Sequence, residues 1–166
     1  MKRSPASAYE SAVGFLARRS HSRWELKNKL FRKGYPGREI YQALDRLEEL
    51  GYLDDRKFAF DYCRHRLRQS PRGRKLLWAE VSKRGVSREI TDQVLAEVFE
   101  EFPEDTLVAG LVEKWRRIRG DAITTTDIAK LTQSLGRKGF DWDVIRRQTG
   151  SIEPKDSASN DQEIAI

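Results

Sequence analysis

Three glycines that end helix-like segments constrain this chain more than any other feature. They are Gly34, Gly85 and Gly139, which lie 51 and 54 residues apart. Glycine at such a position adopts the left-handed conformation that stops an α-helix, because it has no Cβ to clash. Around the first stop, Leu30 and Tyr35 occupy the positions that make the hydrophobic contact of this motif. A helix stop that recurs at this period predicts a repeat protein, in which each unit shares its core with its neighbours.

Serine–glutamate pairs indicate where the helices of the first repeat begin. Ser7 with Glu10, and Ser22 with Glu25, fit the S-x-x-E capping box, in which each side chain bonds the other residue's backbone N–H. The first helix is predicted to run to about Ser20, and the second to end before the first glycine stop. The side chains predicted to be buried along the first helix are Tyr9, Val13 and Leu16.

A third helix completes the first repeat. It is predicted to start near Arg38 and to end at Gly51, where Leu47 and Tyr52 supply the hydrophobic contact of another glycine stop. No segment alternates apolar and polar residues convincingly enough to predict a strand. The fold class predicted is therefore all-α, with three tandem three-helix repeats of helix-turn-helix character.

The helix pattern also predicts where the repeats meet. The first repeat covers residues 1–53, the second residues 54–102 and the third residues 103–149. Residues 150–166 are mostly small, polar or acidic, and they predict a disordered acidic tail.

The charges are distributed unevenly. The chain of 166 residues has 32 lysines and arginines against 26 acids, a formal net charge of +6, which permits a nucleic-acid partner. One basic run contains Arg64, Arg66, Arg68, Arg72, Arg74, Lys75, Lys83 and Arg84, and a second contains Arg116, Arg117, Arg119, Lys130, Arg137 and Lys138. We predict that both runs bind a partner, whereas the simpler alternative is a solvated helix face. The acidic stretch 97–105 between them is expected to face a basic partner surface or solvent.

Sequence motifs for catalysis or cofactor binding are not found. The chain lacks phosphate-binding loops, the dinucleotide fingerprint and the zinc and serine hydrolase motifs, and no carboxylate cluster of the kind a metal-dependent nuclease needs stands out. Asp54 and Asp55 are better explained as helix caps than as a metal-ligand pair. We therefore predict neither enzymatic activity nor a cofactor or metal. The four tryptophans are expected mainly in packing, with base stacking as the alternative; they are Trp24, Trp78, Trp115 and Trp142.

The single cysteine, Cys63, cannot form an internal disulfide, which fits a reducing cytosol. It is expected to be a small core residue, with a reactive thiolate as the alternative. No apolar segment is long enough to span a membrane, and the first ten residues lack an apolar signal core. We therefore expect a cytoplasmic protein with no membrane partner.

Several motifs resemble the RecX family of bacterial recombination regulators. The run 51–55, Gly-Tyr-Leu-Asp-Asp, is followed by Phe58 and Ala59 as in that family. Similar spacing continues around the first two glycine stops, in Ser22-x-x-Glu25-Leu26-x-x-x-Leu30-x-x-Lys33-Gly34 and in Gly73-x-x-x-Leu77-x-x-x-Val81-x-x-Arg84-Gly85. The resemblance covers roughly residues 10–148 and is loosest in the third repeat.

This resemblance implies a non-enzymatic partner of RecA. Members of the family bind the RecA filament on single-stranded DNA, and they inhibit or modulate its ATPase, strand-exchange and coprotease activities, the last of which triggers the SOS response. Their repeats form an elongated, curved array, and we expect a monomer. The family motifs are mainly structural, so they imply no site residues.

A DNA-binding module that acts without RecA is the alternative function. A recognition helix would then offer a polar or cationic side chain in its first turn to the base edges. Arg38 and Arg88 fit that requirement, whereas the third repeat has Trp142 at this position.

Overall fold

The computed structural model describes residues 6–120 and 122–155, which form nine α-helices and no strand. The helices are α1 (Ala8–Leu16), α2 (Arg23–Arg32), α3 (Gly37–Glu49), α4 (Asp55–Gln69), α5 (Arg74–Ser82), α6 (Arg88–Glu101), α7 (Glu104–Arg119), α8 (Thr125–Arg137) and α9 (Trp142–Thr149). The predicted fold class, an all-α array of three-helix repeats, is confirmed. We call α1–α3 unit 1, α4–α6 unit 2 and α7–α9 unit 3.

Each unit has its own hydrophobic core. The buried apolar side chains form three clusters, built around Leu26 and Leu44 in unit 1, Leu77 and Leu95 in unit 2, and Ile145 in unit 3. The closely packed helix pairs also lie within units. The expectation of a core shared between neighbours is therefore wrong. Three helices already bury one another's apolar stripes, and little apolar surface remains for the contacts between units.

The two capping boxes predicted in unit 1 form to different extents. Ser7 and Glu10 form the predicted capping box, with the Ser7 N–H 2.8 Å from the Glu10 carboxylate and the Glu10 N–H 3.1 Å from the Ser7 hydroxyl. Ser22 accepts from the Glu25 N–H at 3.1 Å, but the second half of its predicted box is not formed. The Glu25 carboxylate instead pairs with two arginines, one of them Arg84 in unit 2.

All four glycines predicted to stop helices have positive φ. The angles are 85° at Gly34, 71° at Gly51, 77° at Gly85 and 82° at Gly139. Leu30 and Tyr35 belong to the core of unit 1 as predicted. At the stop formed by Gly51, the predicted contact residue Tyr52 is 67% exposed, and Leu53, which is 3% exposed, is buried in its place. The backbone N–H groups of both residues bond the Leu47 carbonyl.

The first helix differs from its prediction. It ends at Leu16 rather than near Ser20. Val13 is 41% exposed and therefore not part of a buried stripe. The residues that α1 buries are small, namely Ala8, Ser11 and Ala12, and small side chains allow its backbone to approach α3 closely. Tyr9 and Leu16, which were predicted to be buried, are only partly buried against the core of unit 1.

The start of the predicted disordered tail is packed against unit 3. Ile152 is only 5% exposed and belongs to the core of that unit. The Lys155 N–H bonds the Ile123 carbonyl at 2.8 Å. The disorder prediction is therefore wrong for residues 150–155, and the rest of the predicted tail lies outside the described residues. The repeat boundaries themselves stay a prediction.

The contacts between unit 1 and unit 2, which we call the first joint, surround the start of α2. The Asp55 carboxylate at the start of α4 accepts from the Arg23 N–H at 2.7 Å. The Ser22 hydroxyl donates to the Arg84 carbonyl. Gly85 meets the next residue of α2, since a Cβ built on it would lie 2.2 Å from Cβ of Trp24.

The second joint, between unit 2 and unit 3, repeats this plan around the start of α5. The Glu104 carboxylate at the start of α7 accepts from the Arg74 N–H at 2.7 Å. The Gly73 N–H donates to the Lys138 carbonyl at 2.8 Å. A Cβ on Gly139 would lie 2.5 Å from the backbone nitrogen of Leu76. In both joints the free N–H groups at a helix start are therefore satisfied by the following unit.

Candidate nucleic-acid and partner interface

The predicted basic residues of α4 bind acids and aromatic rings of their own unit. Arg64 pairs with Glu101 at 2.8 Å, and Arg68 lies 3.7 Å from the same carboxylate. Arg66 donates to the Tyr62 hydroxyl at 3.0 Å and lies 3.4 Å from Glu80. Acids of unit 2 therefore already offset part of the positive charge of these arginines.

Two further predicted cations belong to a half-buried network. The side chain of Arg72 is 15% exposed and pairs with Glu80, which also accepts from the Tyr62 hydroxyl at 2.8 Å. The Arg84 guanidinium lies 4.4 Å from the centre of the Tyr62 ring and pairs with Glu25 across the first joint. Arg72 and Arg84 therefore hold the structure together and are not free to bind a partner.

Burial raises the pKa of Glu25, but hydrogen bonds and charges from Arg19 and Arg84 outweigh this effect. The pKa of this carboxyl consequently lies below its ordinary value. A charged carboxylate at the first joint is thus favoured by the two arginines that hold it.

Three more predicted cations have partners at the edges of units 2 and 3. Lys75 lies 3.6 Å from Asp141 across the second joint. Arg119 pairs with Asp127 at 2.7 Å. The third, Arg74, stacks 4.8 Å from the centre of the Phe99 ring in its own unit.

The acidic stretch 97–105 is largely engaged inside the molecule. Glu97 pairs with Arg56, and Asp105 pairs with Arg147 at 3.0 Å. Glu101 and Glu104 make the contacts to α4 and to the second joint given above. Cations or backbone groups of the same chain therefore contact these four acids, although the side chains of Glu97 and Asp105 remain 44% and 50% exposed to solvent. That the stretch faces a partner stays a prediction.

Besides Arg74, whose side chain contacts the Phe99 ring but no acid, six of the predicted cations have no ion pair among the described residues. They are Lys83, Arg116, Arg117, Lys130, Arg137 and Lys138. All except Lys138, which is half-buried, are exposed. These side chains offer positive charge that the fold itself does not use.

The second joint brings three of the predicted residues together around one opening. Arg72, Arg137 and Lys138 line a cleft of about 270 Å³ with Pro71, Leu76 and Ser134, and no carboxylate lines it. We call this opening the cationic cleft. Because Arg72 is held by Glu80 and by the Ser70 carbonyl at 3.2 Å, Arg137 and Lys138 supply its unpaired charge. Cations beside a serine hydroxyl are suited to bind a phosphate group.

The described residues offer little else for chemistry. No three His, Cys, Asp or Glu side chains among them are placed to hold a metal ion. Cys63 is fully buried, and burial with the nearby charge of Glu80 raises the pKa of its thiol to about 12. This environment fits the predicted core cysteine and not a reactive thiolate. No helix in the described part of the chain is both long and apolar enough to cross a membrane.

Sequence reasoning missed several exposed aromatic residues. The expectation that most tryptophans serve packing fits only in part, since Trp24, Trp78 and Trp142 are 48%, 37% and 50% exposed. Phe31 and Tyr41 of unit 1 are 71% and 49% exposed and were not among the predicted site residues. A helical projection of α2 would have found Phe31, because Leu26 and Leu30 fix the buried side of that helix.

Helical units with separate cores, and several unpaired cations at the surface, define a helical-repeat protein. The family models for "RecX, first three-helix domain" and "RecX, second three-helix domain" match residues 8–47 and 54–95. The chain belongs to the RecX family of regulatory proteins.

Individual relatives agree with this assignment. "Regulatory protein RecX" of Chlorobaculum tepidum is 33% identical over 95% of both chains. "Regulatory protein RecX" of Prosthecochloris aestuarii is 35% identical over 84% of this chain and 89% of that protein. The crystal structure of RecX from Lactobacillus salivarius superimposes with a TM-score of 0.77 and 24% identity, over 86% of this chain and 92% of the other. This last likeness concerns the fold.

Proposed function

We propose that this protein binds the RecA filament on single-stranded DNA in the cytoplasm and lowers RecA's ATPase, strand-exchange and coprotease activities, without catalysing a reaction itself. Membership of a family of regulatory proteins supports a regulatory role. The cationic cleft is the observation that carries the proposal to a nucleoprotein partner, because Arg137 and Lys138 present unpaired charge there and no carboxylate is among its lining residues.

The repeat architecture supports a mechanism of linked weak contacts. Three units joined in one chain raise the effective concentration of each contact once the first has formed. A monomer that bridges neighbouring RecA subunits would restrict the motions that ATP turnover requires. The first joint, which side-chain contacts hold between separate cores, allows unit 1 to adjust to its own contact.

The experiment is a titration of RecA's ATPase on single-stranded DNA at substoichiometric amounts of this protein. The wild type is expected to lower the rate at well under one copy per RecA subunit. Arg137→Glu with Lys138→Glu should raise the half-inhibitory concentration about tenfold, equivalent to about 1.4 kcal/mol of binding free energy. Variants of Arg72 are unsuitable, because removing this half-buried partner of Glu80 would disturb unit 2.

Lys114→Glu is the control, since it is an exposed cation of unit 3 outside the cleft, and Arg137→Glu alone is the cleft variant with the same change of net charge. The control should shift the half-inhibitory concentration less than twofold. Equal shifts for the cleft variant and the control would remove the cleft from the mechanism. No inhibition by the wild type, together with tight salt-dependent binding to duplex DNA, would favour the DNA-binding module instead.

A further inference from the structure

The second helix of unit 1 exposes aromatic side chains on the side opposite its buried leucines. Phe31 is 71% exposed and Trp24 is 48% exposed, whereas Leu26 and Leu30 are fully buried. The two aromatic residues are seven positions apart and therefore share one helical face, about 10 Å apart along the axis. The Trp24 side chain is fixed at its base, because Gly85 of the first joint lies against its Cβ.

Helix α3 extends this surface. Tyr41 is 49% exposed, and the Lys27 ammonium lies 3.4 Å from its hydroxyl and 5.6 Å from its ring centre. Lys27 itself is half-buried and lies between Trp24 and Phe31 along α2. We call these four residues, Trp24, Lys27, Phe31 and Tyr41, the aromatic face.

Lys27 and Arg32 supply the positive charge beside the aromatic face. Lys27 lies over the Tyr41 ring, and Arg32 is exposed and follows Phe31. The one acid of α2, Glu25, is held by Arg19 and Arg84. Two acids of α3, Asp45 and Glu48, are held by Arg23. Exposed cations interleaved with exposed aromatic rings are typical of surfaces that bind single-stranded nucleic acid.

The fold does not require these aromatic residues, because the other units manage without them. Phe31 is three residues before its glycine stop, and the equivalent positions hold Ser82 in unit 2 and Gly136 in unit 3. Tyr41 is seven residues after its stop, where the other units have Asp92 and Arg146. A group of neighbouring exposed aromatic side chains that the repeat does not need indicates a contact outside the chain.

We propose that the aromatic face is a binding site for single-stranded nucleic acid, with bases stacked on Phe31 and Tyr41 and with Lys27 beside the phosphates. The proposal deepens the function above, because it rests on that function for the source of the strand. Binding itself is a property of unit 1 and needs no RecA. A base has a π-face whatever its identity, so the site would select unpaired strands without selecting sequence.

The test measures anisotropy of a labelled 20-nucleotide dT strand and of an abasic strand of equal length, with the full-length protein. Phe31→Ala with Tyr41→Ala is expected to weaken binding to dT about 10- to 100-fold, the range for losing one or two stacked bases. Binding to the abasic strand should change less than twofold. Tyr52→Ala is the control, because this exposed tyrosine of unit 1 lies outside the aromatic face; it should leave both affinities unchanged.

Unchanged affinity for dT in the double variant, or equal losses on both strands, would overturn the inference. Circular dichroism establishes that the variants are folded, and the exposure of both side chains makes a folding defect small. If the variant keeps its dT affinity and loses only its effect on RecA's ATPase, the aromatic face docks a protein and the inference fails. If the wild type binds dT as expected and has no effect on RecA, the proposed function fails and the aromatic face stands.

Discussion

The two joints use the same backbone plan with different chemistry. In each, an acid at the start of one unit accepts from the first helical N–H of the preceding unit's second helix, and a glycine stop packs against that helix. The first joint adds side chains, namely the Ser22 hydroxyl and the Glu25–Arg84 pair. The second joint relies on backbone, since Gly73 has no side chain and Lys75 donates its N–H to the Gly139 carbonyl at 3.3 Å.

This difference shows that the same arrangement of units can be held by interactions that respond to different changes, either in pH and salt or in side-chain volume. A joint made from an ion pair responds to pH and salt. Both joints exclude a methyl group at their glycine stops, but only at the second joint do the obstructing atoms belong to the backbone, at Gly73 and at Gly139. The second joint therefore responds more strongly to added volume. We expect the first joint to be the adjustable one and the second to be the rigid one.

The largest effect is expected from a methyl group in the second joint. Gly139→Ala combines a left-handed backbone, φ 82°, with a Cβ 2.6 Å from Cβ of Leu76. Left-handed strain and overpacking together predict a loss of about 3 kcal/mol in the free energy of unfolding. Because unit 3 has its own core, it should unfold separately, which calorimetry would detect as a second transition.

Gly34→Ala is the control for that variant. It carries the same backbone strain, φ 85°, but a Cβ there meets nothing within 4 Å. Its expected loss is about 1–2 kcal/mol, with a single transition. Equal losses in the two variants would show that strain alone matters and that the second joint is not closely packed.

An effect of intermediate size is expected in the coupling energies of the ion pairs at the two joints. A double-mutant cycle with Glu25→Gln and Arg84→Gln should give a coupling energy of about 1–2 kcal/mol, because the Glu25 carboxylate is shielded and hydrogen-bonded. The Lys75–Asp141 pair has side chains 66% and 48% exposed, and the same cycle should give less than about 0.5 kcal/mol. Urea unfolding of the single and double variants measures both, and similar couplings would contradict the comparison.

The smallest effect is expected in the pH dependence of the free energy of unfolding, to which Glu25 of the first joint contributes. The pKa of Glu25 in the folded protein lies below its ordinary value of 4.5, since Arg19 and Arg84 outweigh burial. The folded state therefore binds fewer protons than the unfolded state, and the stability from this group is lost as pH falls below about 4.5. Glu25→Gln should flatten the dependence of unfolding free energy on pH in that range.

Asp55 supplies a control of opposite sign within the same joint. Burial raises the pKa of this carboxyl although it accepts from the Arg23 N–H. Asp55→Asn keeps an oxygen that can accept this bond, and it should make the loss of stability in acid steeper. A flatter curve for both variants would mean that the two carboxyls do not respond to the joint as described.

Local sequence patterns predicted the helix stops because a stop depends on a few neighbouring residues. Positive φ at Gly34, Gly85 and Gly139 follows from glycine's backbone freedom alone. The second capping box failed because Glu25 has a stronger partner 59 residues away, in Arg84. No local pattern shows such a partner.

The candidate site was harder to predict for the same reason. Sequence shows how many cations a helix carries, but their pairing depends on which acids the fold places opposite them. The charges of Arg64 and Arg72 are paired with Glu101 and Glu80, whereas Arg137 has no ion pair among the described residues. Exposure of Phe31 was within reach of a helical projection, because it depends only on the period of α2.

The burial of Cys63 means that the reactivity of its thiol reports the opening of unit 2. It is the only cysteine in the chain, and its fully buried thiol can meet a reagent only when α4 moves away from its neighbours. The rate of thiol labelling therefore reports how often unit 2 opens. A partner that holds the units together should lower this labelling rate. The native thiol can therefore report partner binding without an introduced probe.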